Sequence, residues 1–131
     1  MSPRHLVIIG NGISGITLAR HVRKMDSETR ITVISGESDY FFSRTALMYV
    51  FLGHMKFEHT QPYEPWFWEK NRIELKKAWV QKVEFGERTL VFHSGEKMTY
   101  DILVIATGSK PNTFGWPGQD LEGVQGLYSK Q

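Results

Sequence analysis

The chain contains no cysteine. That excludes a disulfide framework, a thiolate metal site and a redox-active dithiol built from its own residues. No apolar run comes near the ~18 residues that a membrane span needs. Met1-Ser2-Pro3-Arg4 leads straight into a short apolar strand, without the hydrophobic stretch of a signal peptide. A cytoplasmic protein is the expectation. A large excess of charge of one sign is missing too. The net is +2 over 131 residues, too little to point to nucleic acid. The one basic cluster, Arg20, Arg23 and Lys24, falls at the end of the first expected helix, where it complements the dipole as a solvated helix end. There is no internal repeat and no low-complexity tract. Metal ligands are sparse as well: His54 and His59 flank Glu58 on a loop, a spacing that matches no metal pattern.

What is present is an ordinary globular composition, 40% apolar, in a chain long enough for one domain with a real core. The sharpest feature is Gly10-Asn11-Gly12-Ile13-Ser14-Gly15. It follows the β-branched run His5-Leu6-Val7-Ile8-Ile9 and precedes Ile16, Ala19 and Val22, which recur at helical spacing. Strand, GxGxxG and helix in this order are the context that a dinucleotide fingerprint requires. Gly10 permits a tight turn out of the strand. Gly12 lacks a Cβ, so the backbone can come close to a pyrophosphate. Gly15 lets the helix pack tightly on the sheet. The helix N-terminus offers free N–H groups and a partial positive charge to phosphates. An ordinary tight turn would need one permissive residue, so this spacing argues for a ligand.

The first helix is expected from Ile13 to Met25, breaking at Asp26-Ser27, with Ile31-Thr32-Val33-Ile34 as a second buried strand. Together they make a right-handed βαβ unit with parallel strands. An acidic residue ~20 positions past the glycines contacts ribose hydroxyls in such units. Glu37 is the candidate and Asp39 the alternative; no arginine follows at once to favour a 2′-phosphate. Ser43 reads as the N-cap of a short helix from Arg44 to Leu52, closed by Gly53. Met48, Tyr49, Phe51 and Met55 read as helix-face packing, with a quinone or partner groove as the sharper alternative. Pro65 opens another helix carrying Trp66, Phe67 and Trp68, aromatics that cap a core rather than stack bases, and Asn71 ends it. Arg72-Ile73-Glu74-Leu75 is a third strand. From Ala78 an antiparallel meander is expected: Trp79-Val80-Gln81-Lys82-Val83 alternates, Gly86-Glu87-Arg88 turns, Thr89-Leu90-Val91-Phe92 is a strand, and Ser94-Gly95-Glu96-Lys97 turns again. Ile102-Leu103-Val104-Ile105-Ala106 is a continuous apolar strand, expected at the centre of the sheet, and it runs into Thr107-Gly108. Past Asn112 glycine and proline become dense and periodicity fades, as in a linker.

The N-terminal fingerprint, combined with Tyr100-Asp101-Ile102-Leu103-Val104-Ile105-Ala106-Thr107-Gly108-Ser109-Lys110-Pro111, resembles the FAD-containing pyridine-nucleotide oxidoreductases. Within them Tyr40-Phe41-Phe42-Ser43-Arg44-Thr45-Ala46-Leu47 is similar to the segment after the second strand in the single-flavin branch. That branch includes the ferredoxin, rubredoxin and nitrite reductases and apoptosis-inducing factor. The resemblance covers essentially the whole chain. It implies a Rossmann-like α/β FAD-binding domain with a parallel sheet and an antiparallel β-meander, incomplete at its C-terminus. By the same resemblance Gly10, Asn11, Gly12, Ile13, Ser14 and Gly15 hold the FAD pyrophosphate and Glu37 binds the adenosine ribose. Arg44 lies over the pyrophosphate or ribityl region, Val80 meets the adenine through its backbone, and Ala106, Thr107 and Gly108 approach the flavin. No side chain in this segment is expected to act as acid, base or nucleophile.

The chain departs from the pattern in places. Many relatives carry an acid where Gly36 stands, a proline where Thr45 stands, and a flavin-reaching lysine near Tyr49. The Cys-rich segment of the disulfide branch is missing. So is the second GxGxxG domain, for NAD(P)H, and the Gly-Asp motif that returns to the ribityl chain. The resemblance therefore implies the N-terminal part of a longer NAD(P)H-dependent flavoenzyme. Residues 1–111 are its FAD-binding portion and 112–131 the linker toward the nicotinamide domain. The resemblance leaves the electron acceptor unspecified, with a redox protein and a quinone as the candidates. The rival readings are an NAD-binding dehydrogenase domain and a non-enzymatic flavin-binding interaction module.

Overall fold

Runs of β-branched residues that are apolar at every position form strands buried on both faces. β1 (His5–Ile9) and β2 (Arg30–Ser35) hold such runs at their centres, interrupted in β2 by Thr32, and they pair in parallel with Val7 opposite Thr32 and Ile9 opposite Ile34. The computed structural model describes residues 4–37, 47–61, 63, 65–109 and 114–122. Helix α1 (Ile13–Met25) joins the two strands and ends where the sequence places its break, at Asp26. After α2 (Leu47–Phe51), a 3-10 turn (Phe57–Thr60) and α3 (Pro65–Lys70), the chain adds β3 (Ile73–Lys77) beside β2, again parallel. It then forms an antiparallel three-stranded sheet from β4 (Val80–Glu84), β5 (Thr89–Phe92) and β6 (Lys97–Thr99). Finally it returns as β7 (Ile102–Ile105), parallel to β1 on the side away from β2.

The parallel sheet, ordered β3-β2-β1-β7, is a filling between two layers. Leu6, Ile8, Ile31 and Val33 point to one face and pack with Ile16 and Ala19 of α1, Trp68 of α3 and Ile73. Val7 and Ile34 point to the other and pack with Leu90, Phe92 and Tyr100 around the antiparallel sheet. The aromatic run of α3 divides accordingly. Trp68 is buried edge-on to Phe67 and Tyr63, with centroids at 5.1 and 5.4 Å, while Trp66 stays exposed.

Four details differ from the expectations. β7 lies at an edge of the parallel sheet among the described residues, not at its centre, and Ile102 and Ile105 are exposed. Its apolar run signals burial on both faces, but a run of this kind carries no information about which strands flank it. β6 follows the second hairpin turn, where Lys97 begins the strand instead of closing the turn. Arg23 is more than a solvated helix end. Its guanidinium donates to the carbonyls of Asn71, Arg72 and Asp26 at 2.8, 3.0 and 3.1 Å and so ties the end of α1 to the end of α3. Of the helix expected over 44–52, Leu47–Phe51 is helical and Leu52 is already in the turn that Gly53 closes, as expected, at φ +79°; Ser43 and Arg44 lie outside the described residues.

A polar chain crosses the amino-terminal edge of the sheet. The His5 imidazole donates from Nδ1 to the Thr99 carbonyl at 3.0 Å, and its Nε2 lies 2.8 Å from the Thr32 hydroxyl. That hydroxyl donates to the Glu74 carboxylate at 3.0 Å. Burial, then the nearby Arg30 charge, holds His5 below its ordinary value of 6.5, against the opposing pull of the Thr99 carbonyl, Glu74 and Asp101. A histidine with a depressed pKa in the folded chain binds its proton more readily when unfolded. Its contribution is therefore complete above pH 6.5 and is lost as the pH falls below 6.5 and through the lower value of the folded chain. The melting temperature is expected to drop between pH 7.5 and 5.5, and a His5→Gln variant to show a flatter profile over that window in thermal scans monitored by circular dichroism.

Candidate dinucleotide site

Chain order and strand order diverge beside β1. The chain leaves β1 for β2 and β3 on one side and comes back as β7 on the other. Loops at the carboxyl ends of two strands flanking such a switch point part from one another and leave a crevice for ligands. Here the loops are 10–12, after β1, and 106–109, after β7. Their first residues are held together. Gly10 has φ +117°, a conformation that L side chains avoid, and a Cβ there would run into the Ala106 carbonyl, with its carbon at 2.6 Å and the Thr107 nitrogen at 3.1 Å. The Gly10 N–H donates to the Ile34 carbonyl at 2.7 Å, and the Ala106 N–H donates to the Ile9 carbonyl at 2.8 Å. So the ends of β2, β1 and β7 are pinned side by side.

The three glycines of the fingerprint divide by role. Gly10 and Gly15 are required by the protein itself. A Cβ on Gly15 would collide with the Gly10 carbonyl and lie 3.1 Å from the Ile8 side chain. Gly12 is not required in that sense: at φ −74° any residue is comfortable, and a Cβ would meet nothing within 4 Å among the described residues. Gly12 is the N-cap of α1, with no capping side chain and no acidic residue in the first turn. The helix therefore presents its first N–H groups, from Ile13, Ser14 and Gly15, with the dipole unneutralised by local charge. Ile13 and Ser14 are exposed while Asn11 and Gly15 are buried. The open space at Gly12 and the uncapped helix end fit a diphosphate.

Glu37 stands two residues beyond β2, its N–H donating to the Ser35 hydroxyl at 3.2 Å. Val80 starts β4 close by, since the Ala78 N–H donates to the Ser35 carbonyl at 2.9 Å. The Val80 side chain packs into the core on the antiparallel side, which leaves its backbone as the part able to meet a ligand. The structure thus gathers Gly10 to Gly15, Glu37, Val80 and the segment Ala106-Thr107-Gly108 along one edge. Glu37 and Val80 lie on the β2 side of the glycine loop, and Ala106 to Gly108 on the β7 side. Arg44 and Asp39 fall outside the described residues.

The family model for pyridine nucleotide-disulphide oxidoreductases matches residues 4–130. The chain belongs to this family. It is 36% identical over 118 residues to the sulfide-quinone reductase of Aquifex aeolicus (strain VF5), covering 89% of this chain and 27% of that protein. It is 34% identical over 122 residues to the ferredoxin reductase component of chlorobenzene dioxygenase from Cupriavidus sp. (strain PS12), covering 92% of this chain and 30% of the relative. Among solved structures, the NAD-dependent persulfide reductase from A. fulgidus superposes with a TM-score of 0.83 at 26% identity, covering 95% of this chain and 25% of that one. The chain therefore spans under a third of the length of each of these family members.

Gly36 lies against the benzenoid edge of Trp79: a Cβ on Gly36 would sit 2.5 Å from Cε3 and 3.1 Å from Cζ3 of the indole. Trp79 entered the sequence reading only as the first residue of an alternating run. Nothing in local periodicity tells that β3 delivers it onto the end of β2. His59, weighed as a metal ligand, instead has its Nδ1 3.4 Å from the Lys56 N–H, where it closes the N-terminus of the 3-10 turn. No helix of the described residues is long and apolar enough to cross a membrane.

Proposed function

We propose that this chain is the N-terminal, FAD-binding part of a cytoplasmic NAD(P)H-dependent flavin oxidoreductase that passes electrons to a redox protein or a quinone. The observation that carries the reading is Gly12: an N-cap glycine at the uncapped start of α1 that packing among the described residues does not need. Family membership supports it, as do relatives named as a ferredoxin reductase component and a sulfide-quinone reductase, whose acceptors span the two classes. In this reading residues 1–111 form the cofactor portion, 112–131 lead toward the nicotinamide domain, and Arg44 places its fixed charge over the phosphates.

The residues divide the work of holding the dinucleotide. The N–H groups of Ile13, Ser14 and Gly15 receive the diphosphate, Gly12 clears its path, and Asn11 supports the turn. Glu37 accepts from the ribose hydroxyls. The Val80 backbone meets the adenine. Ala106, Thr107 and Gly108, held against Gly10, line the flavin side. When bound, the flavin accepts hydride equivalents and releases electrons; the protein's part is binding and orientation. Titrating the natural gene product separately with FAD and NAD tests the reading. FAD is expected to bind tightly with a perturbed flavin spectrum, and NADH or NADPH to bleach it. Tight NAD binding with no FAD binding would replace the reading with that of a dehydrogenase domain.

A further inference from the structure

We propose that Trp79 forms the adenine-side wall of the dinucleotide site, taking the nucleobase against the open part of its indole. The inference rests on the cofactor reading above and assigns a residue that the fingerprint does not contain. Its first support is the seat of the ring. Gly36 leaves room for the benzenoid edge of Trp79, and any other residue at 36 would drive that edge away. The second is the anchoring of the backbone. The preceding residue, Ala78, donates to the Ser35 carbonyl at 2.9 Å, and the Trp79 carbonyl accepts from the His93 N–H at 2.8 Å. Trp79 is thus fixed between the end of the parallel sheet and the start of the antiparallel one.

The third support is exposure. Despite that seat the side chain is 68% exposed. Other exposed aromatics lie elsewhere: Tyr49 and Phe51 on α2, Trp66 on α3, Phe85 in the turn between β4 and β5, and Trp116, which stacks on Phe114 at 5.7 Å. Trp79 stands next to Val80 and over the residue that precedes Glu37. The order of groups along an adenosine diphosphate matches that placement. The phosphates meet the start of α1, the ribose meets Glu37, and the flat base is left on the β2 side of the glycine loop, where a π surface waits. An aromatic face accepts a base through stacking. The ligand class is an adenosine nucleotide, and the flavin ring, on the Ala106 side, lies away from this wall.

The probes are ADP, which carries only the adenosine half, and FMN, which carries only the flavin half. They are titrated into the natural gene product after bound nucleotide is stripped, alongside Trp79→Ala, Trp79→Phe and Gly36→Ala variants. Trp79→Ala is expected to raise the Kd for ADP about tenfold, the scale of a lost base–aromatic stack, and to leave FMN unchanged. Trp79→Phe keeps most of the ADP affinity but loses the part of the tryptophan emission that ADP quenches. Gly36→Ala, which displaces the ring, weakens ADP in the same selective way. Equal or tighter ADP binding by Trp79→Ala overturns the proposal. If that variant does not fold, the absence of any ADP-induced quench in the parent protein that Trp79→Phe abolishes overturns it equally. A parent protein that binds neither ADP nor FAD defeats the cofactor reading itself, a result distinct from an ADP-binding protein indifferent to Trp79.

Discussion

Gly10→Ala is expected to lower the thermal midpoint by roughly 10 °C, the largest stability loss of any single-methyl addition in the glycine loop. Two costs combine. The backbone at φ +117° is one that an L residue enters only with strain of about 1–3 kcal/mol. The new methyl also points into the Ala106 carbonyl, a backbone group that cannot swing aside like a side-chain end. Overpacking of that kind adds about 1–3 kcal/mol. Relief would require the ends of β1 and β7 to separate, breaking the bond from the Ala106 N–H to the Ile9 carbonyl. The measurement is a thermal melt of the variant beside Gly12→Ala, whose methyl meets nothing among the described residues. A Gly10→Ala melt within a degree or two of the parent would mean that the two loops do not touch as described, and the switch-point crevice would lose its floor.

The sequence carries the local half of this architecture openly. β1, α1 and β2 are marked by their own residues: β-branched runs on both sides, helical spacing of Ile16, Ala19 and Val22, and a glycine where the chain must turn. The meander shows in its turn residues, with Gly95 at φ +93° in the second turn. Sheet order is a different matter. That β7 returns beside β1, and at an edge, depends on which apolar strip closes which gap, and neither strand's composition encodes its neighbour. The same limit applies to the site. Gly10, Gly12, Gly15 and Glu37 are adjacent in sequence or one βαβ unit apart, so a motif finds them. Trp79 reaches Gly36 only because β3 pairs with β2 in a register that sets Lys77 against Ser35. A register shift of one residue would turn that tryptophan to the other face. The polar crossing from Thr99 through His5 and Thr32 to Glu74 is hidden for the same reason, since it joins four separate segments through side chains that are each unremarkable alone.

Gly12→Ser is expected to move stability and cofactor affinity in opposite directions. As the N-cap of α1, Gly12 has the extended backbone, φ −74° and ψ −175°, that suits a capping serine. The hydroxyl can accept a hydrogen bond from the first turn, and serine in place of glycine at such a position is worth a few tenths of a kcal/mol. The ligand-free chain should therefore melt at the parent temperature or slightly above. The same hydroxyl then occupies the space left for the diphosphate and engages N–H groups meant for it. FAD affinity is expected to fall about a hundredfold, close to 2.7 kcal/mol. Thermal scans with and without FAD separate the two effects. At a concentration of about 100 times the parent's Kd, FAD should stabilise the parent by about 2.7 kcal/mol through mass action, while the serine variant should gain only a few tenths. A glycine kept only for folding predicts the reverse: a variant that melts early and binds FAD normally once folded. Such a result would strip Gly12 of its part in the cradle and leave α1 as an ordinary helix with an uncapped end.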